Sequence, residues 1–423
     1  MIAEQVSTRT IESGVTLCTA RLPYAATVSV GVWIGSGSRH EPPPMAGGHH
    51  FLEHMLFRGT ESCDAQTLAR RMDELGGRAN AFTTKDATCY YMDLLPEDLP
   101  DGLSLLAEMV TRPTLGDDAV AVERKIIRQE MRTTADNPAD RARELCLQAA
   151  WGDHPLARPI LGYPETVDAL DSAALRALHR QGYTPANIVV TVAGAVDDEA
   201  VAELAVRAFR EAPAAGERAL PGEPPAFRPG LAAEERPLAQ AHLCLALPGV
   251  AATSADLPAV TLLAAILGGG TGSRLFQEVR ERRGWAYRVD SAALVNADAG
   301  LLPVYLAVDP RHAAAAVRLV RAEFRRLAEG EFTPAEVDRA RKRAVRRVIM
   351  GAETPRMHMF RLGRQGLGLG RSEPPDRLAA RLASLTPADL RECAARILRP
   401  DRVALGAVGP VSRADLGESF LGG

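Results

Sequence analysis

The chain has 423 residues, 46% hydrophobic and 24% charged, with a net charge of −3. A chain of this length and composition buries substantial cores and divides into two or more domains, which excludes a small binding module. Its basic residues are spread through the helices rather than gathered in one tract, which removes the electrostatic footprint of a nucleic-acid binder. The residues from Met1 to Thr10 hold no apolar signal core and no stretch is long enough to span a bilayer, so a cytoplasmic protein with no membrane association is expected. Cys18, Cys63, Cys89, Cys146, Cys244 and Cys393 are scattered without C-x-x-C spacing. They read as buried thiols rather than a disulfide framework or a cysteine metal site.

Along the chain, the first periodic segment is Val28, Val30, Val32 and Ile34, apolar at every second position as in a half-buried strand. Beyond it, His50-Phe51-Leu52-Glu53-His54 has the spacing H-x-x-E-H. On an α-helix, positions i, i+3 and i+4 share a face, so two imidazoles can grip one metal ion while the carboxylate reaches a water beside it. Catalytic zinc usually takes three protein ligands, so one more must come from elsewhere. A short strand that includes Asn80 to Thr83 follows the Gly76-Gly77 turn. A helical segment then runs between Pro113 and Asn137-Pro138, with Val120, Ile126, Ile127 and Met131 among its apolar positions. Glu123 and Glu130 stand two turns apart on it and share a face; alone, such a pair is far more often a solvated surface than a metal site. Beside the histidines, Glu130 is assigned as third ligand and Glu123 as the neighbour that holds a ligand or assists the water. His49 points about 100° away from His50, so it is expected off the metal, either behind a ligand or exposed.

The segment from Ala212 to Gly230, including Pro221-Gly222-Glu223-Pro224-Pro225, reads as an exposed linker, placed at 214–231 between domains at 1–213 and 232–423. The two domains echo each other. Leu243, Leu245 and Leu247 repeat the alternating strand, and the passage from Leu170 to Leu175 into Asn187-Ile188-Val189-Val190 recurs as Leu385 to Leu390 into Asp401-Arg402-Val403-Ala404. The expected fold is α+β: two homologous domains of about two hundred residues, each an antiparallel-rich sheet packed by helices. Where the first has Glu123 and Glu130, the second has a capped start at Thr333-Pro334-Ala335-Glu336 and then Arg339, Arg341, Lys342, Arg343, Arg346 and Arg347. A cationic helix supplies no metal ligand, which leaves shape, substrate contact or association to the second domain.

The run from Gly47 to Thr60 resembles the active-site helix of the pitrilysin family, which includes insulin-degrading enzyme and mitochondrial processing peptidase and carries the inverted zinc motif. The resemblance puts Glu130, 76 residues beyond His54, at the third ligand and Glu123 at a further functional carboxylate seven residues earlier. Asn80-Ala81-Phe82-Thr83 resembles the family's edge strand, to which an extended substrate adds itself through backbone hydrogen bonds. The segments Gly152 to Leu156 and Gly268 to Phe276 carry the likeness into both halves. Arg280 and Tyr287 match an arginine and a tyrosine that the family brings to the substrate, a guanidinium to hold a peptide carbonyl and a phenol to stabilise an oxyanion. His49 departs from the pattern, which generally has a small residue there.

What the resemblance implies is a zinc-dependent endopeptidase with one Zn2+ per chain, held by His50, His54 and Glu130, with Glu53 as base. Its substrates would be peptides, unfolded chains or leader segments, and no residue decides between general clearance and the processing of one precursor. Two-domain members of the family pair two chains into a chamber, so a homodimer is expected, in which Arg280 and Tyr287 could act in trans. A heterodimer with a paralogue is the competing arrangement. Other relatives have lost catalysis and serve as structural core subunits of respiratory complexes. The complete set of His50, Glu53, His54 and Glu130 favours the enzyme, since a scaffold needs neither a zinc site nor a poised base.

Overall fold

The computed structural model describes residues 4–76, 78–212, 216, 218, 222–370 and 373–421. Gly77 of the expected glycine turn, and residues 214, 215, 217 and 219–221 of the expected linker, lie outside the described residues. The first half of the chain holds β1 (Gln5–Thr10), β2 (Thr16–Arg21), β3 (Val28–Ile34), α1 (Gly48–Met55), α2 (Ala65–Glu74), β4 (Arg78–Thr83) and β5 (Thr88–Leu94). It continues through α3 (Leu99–Thr111), α4 (Asp117–Asp136), α5 (Pro138–Trp151), α6 (Pro164–Ala169), α7 (Ser172–Gly182), β6 (Ile188–Gly194) and α8 (Asp198–Ala208). The second half opens with β7 (Gly230–Glu235), β8 (Ala241–Pro248), α9 (Leu257–Gly268), β9 (Ala286–Ser291), β10 (Leu294–Val295) and β11 (Gly300–Val308). Then come α10 (Ala313–Ala328), α11 (Pro334–Gly351), α12 (Pro355–Gly366), α13 (Pro375–Ser384), α14 (Pro387–Ile397), β12 (Ala404–Gly409) and α15 (Arg413–Leu421). The stop expected at Asn137-Pro138 is where α4 gives way to α5. There the Asn137 side chain accepts the Ala139 amide at 3.1 Å, and Pro138 occupies a first-turn position that needs no donor.

The chain forms two compact units, and neither is a continuous stretch. One gathers the residues up to Met131, Pro159–Gly222 and the segment from Gly351 that carries α12; the other gathers Arg132–Arg158 with α5, Glu223–Met350 and the residues from Glu373 onward. The duplication inferred in chain order is therefore crossed by two helices, each serving the unit opposite to its own half of the sequence.

The first unit is built on a six-stranded sheet in the order β1-β2-β6-β3-β5-β4, antiparallel except where β2 meets β6. The alternation of β3 sends Val28, Val30, Val32 and Ile34 to a face packed by Phe51, Leu52, Met55, Leu103 and Leu106. Trp33 points to the opposite face, with Cys18, Cys89 and Tyr91, and that face is covered by Met359 and Leu362 of α12. A strand whose pattern predicts one wet face is thus buried along its whole length. The approach is close because Gly363 has no side chain, since a Cβ there would lie 2.0 Å from the Trp33 ring.

The second unit repeats the plan. Its sheet runs β10-β11-β8-β12-β7, with β9 also on β11, and only β7 and β12 pair in parallel. β9 stands to β11 as β4 stands to β5. One face carries Leu243, Leu245, Leu263, Leu267 and Phe324; on the other, Ala142 and Cys146 of α5 pack on Cys244, Ala246, Ala404 and Val408. Gly406 permits that approach, because a Cβ there would meet the Ala142 carbonyl at 2.1 Å. The fold is the two-domain mixture of helices and sheets that the sequence predicts.

Candidate metal centre

Helix α1, which carries His50 and His54, begins at a turn that only glycine makes easily. Gly47 has φ of 93°, and a Cβ on it would stand 2.5 Å from the Leu161 carbonyl oxygen. Phe51, Leu52 and Met55 are buried in the core and fix the rotation of the helix, so His50, Glu53 and His54 share the opposite side. His50 Nε2 lies 3.6 Å from Glu130 Oε2 and His54 Nε2 lies 3.4 Å from it. One donor atom from each of the three residues falls within 4.8 Å of the others. Ligands about 2.0–2.2 Å from a tetrahedral zinc ion stand about 3.4 Å from one another, so the residues present fit that ion.

Glu123 is buried and does not join the cluster directly. Its Oε2 accepts from His54 Nδ1 at 2.9 Å, so once the ring loses its other proton it is Nε2, facing Glu130, that carries the lone pair. Arg58 ion-pairs with the other Glu123 oxygen. Burial opposes charge on Glu123, but the hydrogen bonds from His54 and Arg58 outweigh it and hold the carboxyl below its ordinary range. Burial likewise opposes protonation of His54, yet Glu123 and Glu130 together raise it to about 9. Glu130 is driven well below the usual carboxylate range, chiefly by the hydrogen bond from His50 and then by that from His54. Protons and a metal ion therefore compete for the same nitrogen and oxygen atoms.

Glu53 is fixed from the sheet, its Oε2 accepting the Thr83 hydroxyl at 2.6 Å. Thr83 ends β4, the strand expected to receive substrate, and β4 is the last strand of its sheet. Phe82 packs its ring edge-on to Trp33 and Phe360, and the Asn80 carboxamide turns back to accept the Ala81 amide at 2.8 Å. Beside the first residues of β4 opens a cleft of about 570 Å³ lined by Phe57, Met72, Arg78, Asn80, Tyr91 and Arg356.

Arg280 and Tyr287 belong to the second unit, where they meet each other: the guanidinium carbon lies 5.3 Å from the Tyr287 ring centre and 4.7 Å from that of Phe276. Tyr287 sits at a bulge, since Ala286 pairs with Val308 and Arg288 with Ala307, and it is 78% exposed. The first unit thus brings together His50, His54, Glu130, Glu53, Glu123 and the Asn80–Thr83 strand. His49 is not exposed but fully buried. Sequence reasoning missed Arg58, which lies in the bend three residues beyond the end of α1, and it missed the Thr83 hydroxyl.

Fold and donor set together describe a mixed helix-and-sheet protein of two domains, the first of which brings His50, His54 and Glu130 close enough to hold a metal ion. Residues 16–163 match the family described as Insulinase (Peptidase family M16), and residues 169–344 match the Peptidase M16 inactive domain. The chain is similar to an uncharacterised zinc protease of Streptomyces coelicolor, 36% identical over 95% of this chain and 89% of that one. It is also similar to one of Bacillus subtilis, 31% identical over 95% of this chain and 97% of that one. In fold it is similar to a peptidase M16 inactive domain from Pseudomonas fluorescens, with a TM-score of 0.89 at 23% identity over 96% and 98% of the two chains. A protease from Helicobacter pylori is similar too, with a TM-score of 0.89 at 22% identity over 96% and 100%. The chain belongs to the insulinase family of peptidases, as a two-domain, bacterial-type member. Among the described residues, His50, His54 and Glu130 are the one cluster able to hold a metal ion, and none falls within the stretch matched to the inactive domain.

Proposed function

We propose that the protein is a zinc-dependent endopeptidase with one Zn2+ per chain, acting on peptides and on unfolded or leader segments. The observation that carries this reading is the convergence of His50 Nε2, His54 Nε2 and a Glu130 oxygen, with the Glu53 carboxylate on the same face of α1 and anchored by Thr83. The zinc protease names of its relatives support it. Zinc, when bound, supplies Lewis acidity, which polarises a peptide carbonyl and makes water acidic enough to ionise near neutral pH. Glu53 accepts the proton of the attacking water and returns it to the leaving amine. Glu123 keeps His54 in the tautomer that can ligate. The outer edge of β4, from Asn80 to Thr83, offers backbone groups on which a peptide can extend.

Arg280 and Tyr287 are assigned to substrate, the guanidinium for a peptide carbonyl and the phenol for the developing oxyanion charge. A cytoplasmic homodimer with peptides as its partners completes the reading; among the described residues no helix is long and apolar enough to cross a membrane. Mixing inactive Glu53→Gln chains with inactive Tyr287→Phe chains tests the dimer, because activity returns only if one chain's Tyr287 serves the other chain's zinc.

The deciding experiment compares zinc-loaded wild type and zinc-loaded Glu53→Gln on a quenched library of mixed peptides. Wild type should cleave, and the variant should be slower by at least about 100-fold at unchanged zinc content. A folded, zinc-bound wild type that cuts nothing would overturn the reading.

A further inference from the structure

His49, directly before the first ligand, has no part in the chemistry above. It is 1% exposed and lies between Ser36, 2% exposed, and Glu41, 3% exposed. His49 Nε2 is 2.6 Å from Ser36 Oγ, and His49 Nδ1 is 3.3 Å from Glu41 Oε1. The Glu41 carboxylate also accepts the backbone amides of Gly47 at 2.8 Å and His49 at 2.7 Å, donors at the start of α1 with no acceptor inside the helix. The neutral tautomer that satisfies every group has Nδ1–H donating to Glu41 and Nε2 accepting the Ser36 hydroxyl.

Ser36 connects this cluster to the sheet. It follows β3, and its carbonyl accepts the Thr88 hydroxyl of β5 at 3.1 Å. Thr88 in turn lies 3.5 Å from the hydroxyl of Thr83, the residue that anchors Glu53. His49 and Glu53 stand one helical turn apart, so α1 is fastened to the sheet by directional bonds at two successive turns. An eight-residue helix has little stability of its own. Its apolar contacts through Phe51, Leu52 and Met55 set its rotation, but burial is non-directional and fixes its axial position less sharply than hydrogen bonds do. Metal ligands tolerate errors of about 0.2 Å, and a catalytic group misplaced by about 1 Å can cost about 100-fold in rate.

We propose that Glu41, His49 and Ser36 form a buried brace that sets the axial position of α1, so that His49 is a positioning residue for the zinc ligands and for Glu53. The activity part of this inference rests on the endopeptidase reading; the zinc-affinity part does not. The test compares His49→Ala with His49→Gln. Glutamine can donate to Glu41 and accept from Ser36 with its amide group, whereas alanine removes both side-chain contacts and leaves the backbone amides on Glu41. Zinc affinity, measured by chelator competition on folded protein, should fall about 10–100-fold in His49→Ala and stay near wild type in His49→Gln. In His49→Ala, kcat should fall while KM holds. A residue that only stabilised the fold would shift the unfolding midpoint and leave zinc affinity and kcat at 25 °C untouched, and that outcome overturns the proposal. If His49→Ala does not fold, Ser36→Ala, which removes one hydroxyl, is judged by the same criterion. Should wild type cleave no peptide, the endopeptidase reading fails, while the zinc affinities still decide the brace.

Discussion

Glu123 does for His54 what no described residue does for His50. His54 Nδ1 donates to it, while His50 Nδ1 is buried and has no hydrogen-bond partner. Removing Glu123 as Glu123→Ala should therefore release the His54 ring and weaken zinc binding by about 10–100-fold, read by chelator competition. The same carboxylates make zinc binding depend on pH. A histidine in an unfolded chain titrates near 6.5, and His54 in the metal-free fold is raised to about 9. Its contribution to stability is thus fully present below about pH 6.5 and is lost as the pH rises through about 9. Zinc needs the deprotonated ring, so apparent zinc affinity should climb across that window while the stability of the metal-free protein declines. Affinities that stay flat from pH 6.5 to 9 would contradict this account. His50, Glu53 and His54 were legible because helical periodicity puts them on one face before any tertiary structure is known, whereas Glu130, on another helix, stood out from a solvated face only through the family resemblance. The Thr83 hydroxyl on Glu53 and the Ser36–His49–Glu41 contacts were not, because they depend on how strand and helix meet, which no spacing records.

Among the elements, the alternating strands and the repeated passages were readable, and the topology bears out the duplication they imply. The covering of the second sheet face was not. An apolar alternation shows which residues leave water but names no partner, because burial carries no direction. So the Trp33 side of β3 gives no sign that its cover comes from α12, residues 355–366. The bulge that turns Tyr287 outward is equally silent, since one extra residue against β11 leaves no mark in the local pattern. The helix contact should be sensitive to small changes. Gly363→Ala forces a Cβ into the Trp33 ring and should cost about 1–3 kcal/mol, read from the urea midpoint. Zinc affinity measured well below that midpoint should hold, because α12 and α1 pack on opposite faces of the sheet. A midpoint equal to wild type would mean that the contact is looser than the geometry indicates.

At the scale of the whole molecule, the division of the sequence into halves and the division of the structure into units do not coincide. A fragment ending at residue 213 contains every proposed zinc ligand but lacks α12, so one sheet face, with Trp33, Cys89 and Tyr91, is left bare. That fragment should be poorly soluble or bind a hydrophobic dye, and appending residues 351–370 through a flexible tether should restore a cooperative unfolding transition. A soluble, cooperatively folding fragment without them would show that α12 is dispensable. The exchange of helices also has a consequence in time. A nascent chain reaches Gly222 with the first sheet assembled except for its lid, and the lid is complete only 144 residues later, at Gly366. At about 5–20 residues per second that is a delay of roughly 7–30 s. The part of the protein synthesised first is therefore finished late, and the Trp33 face of its sheet lacks its cover during that interval.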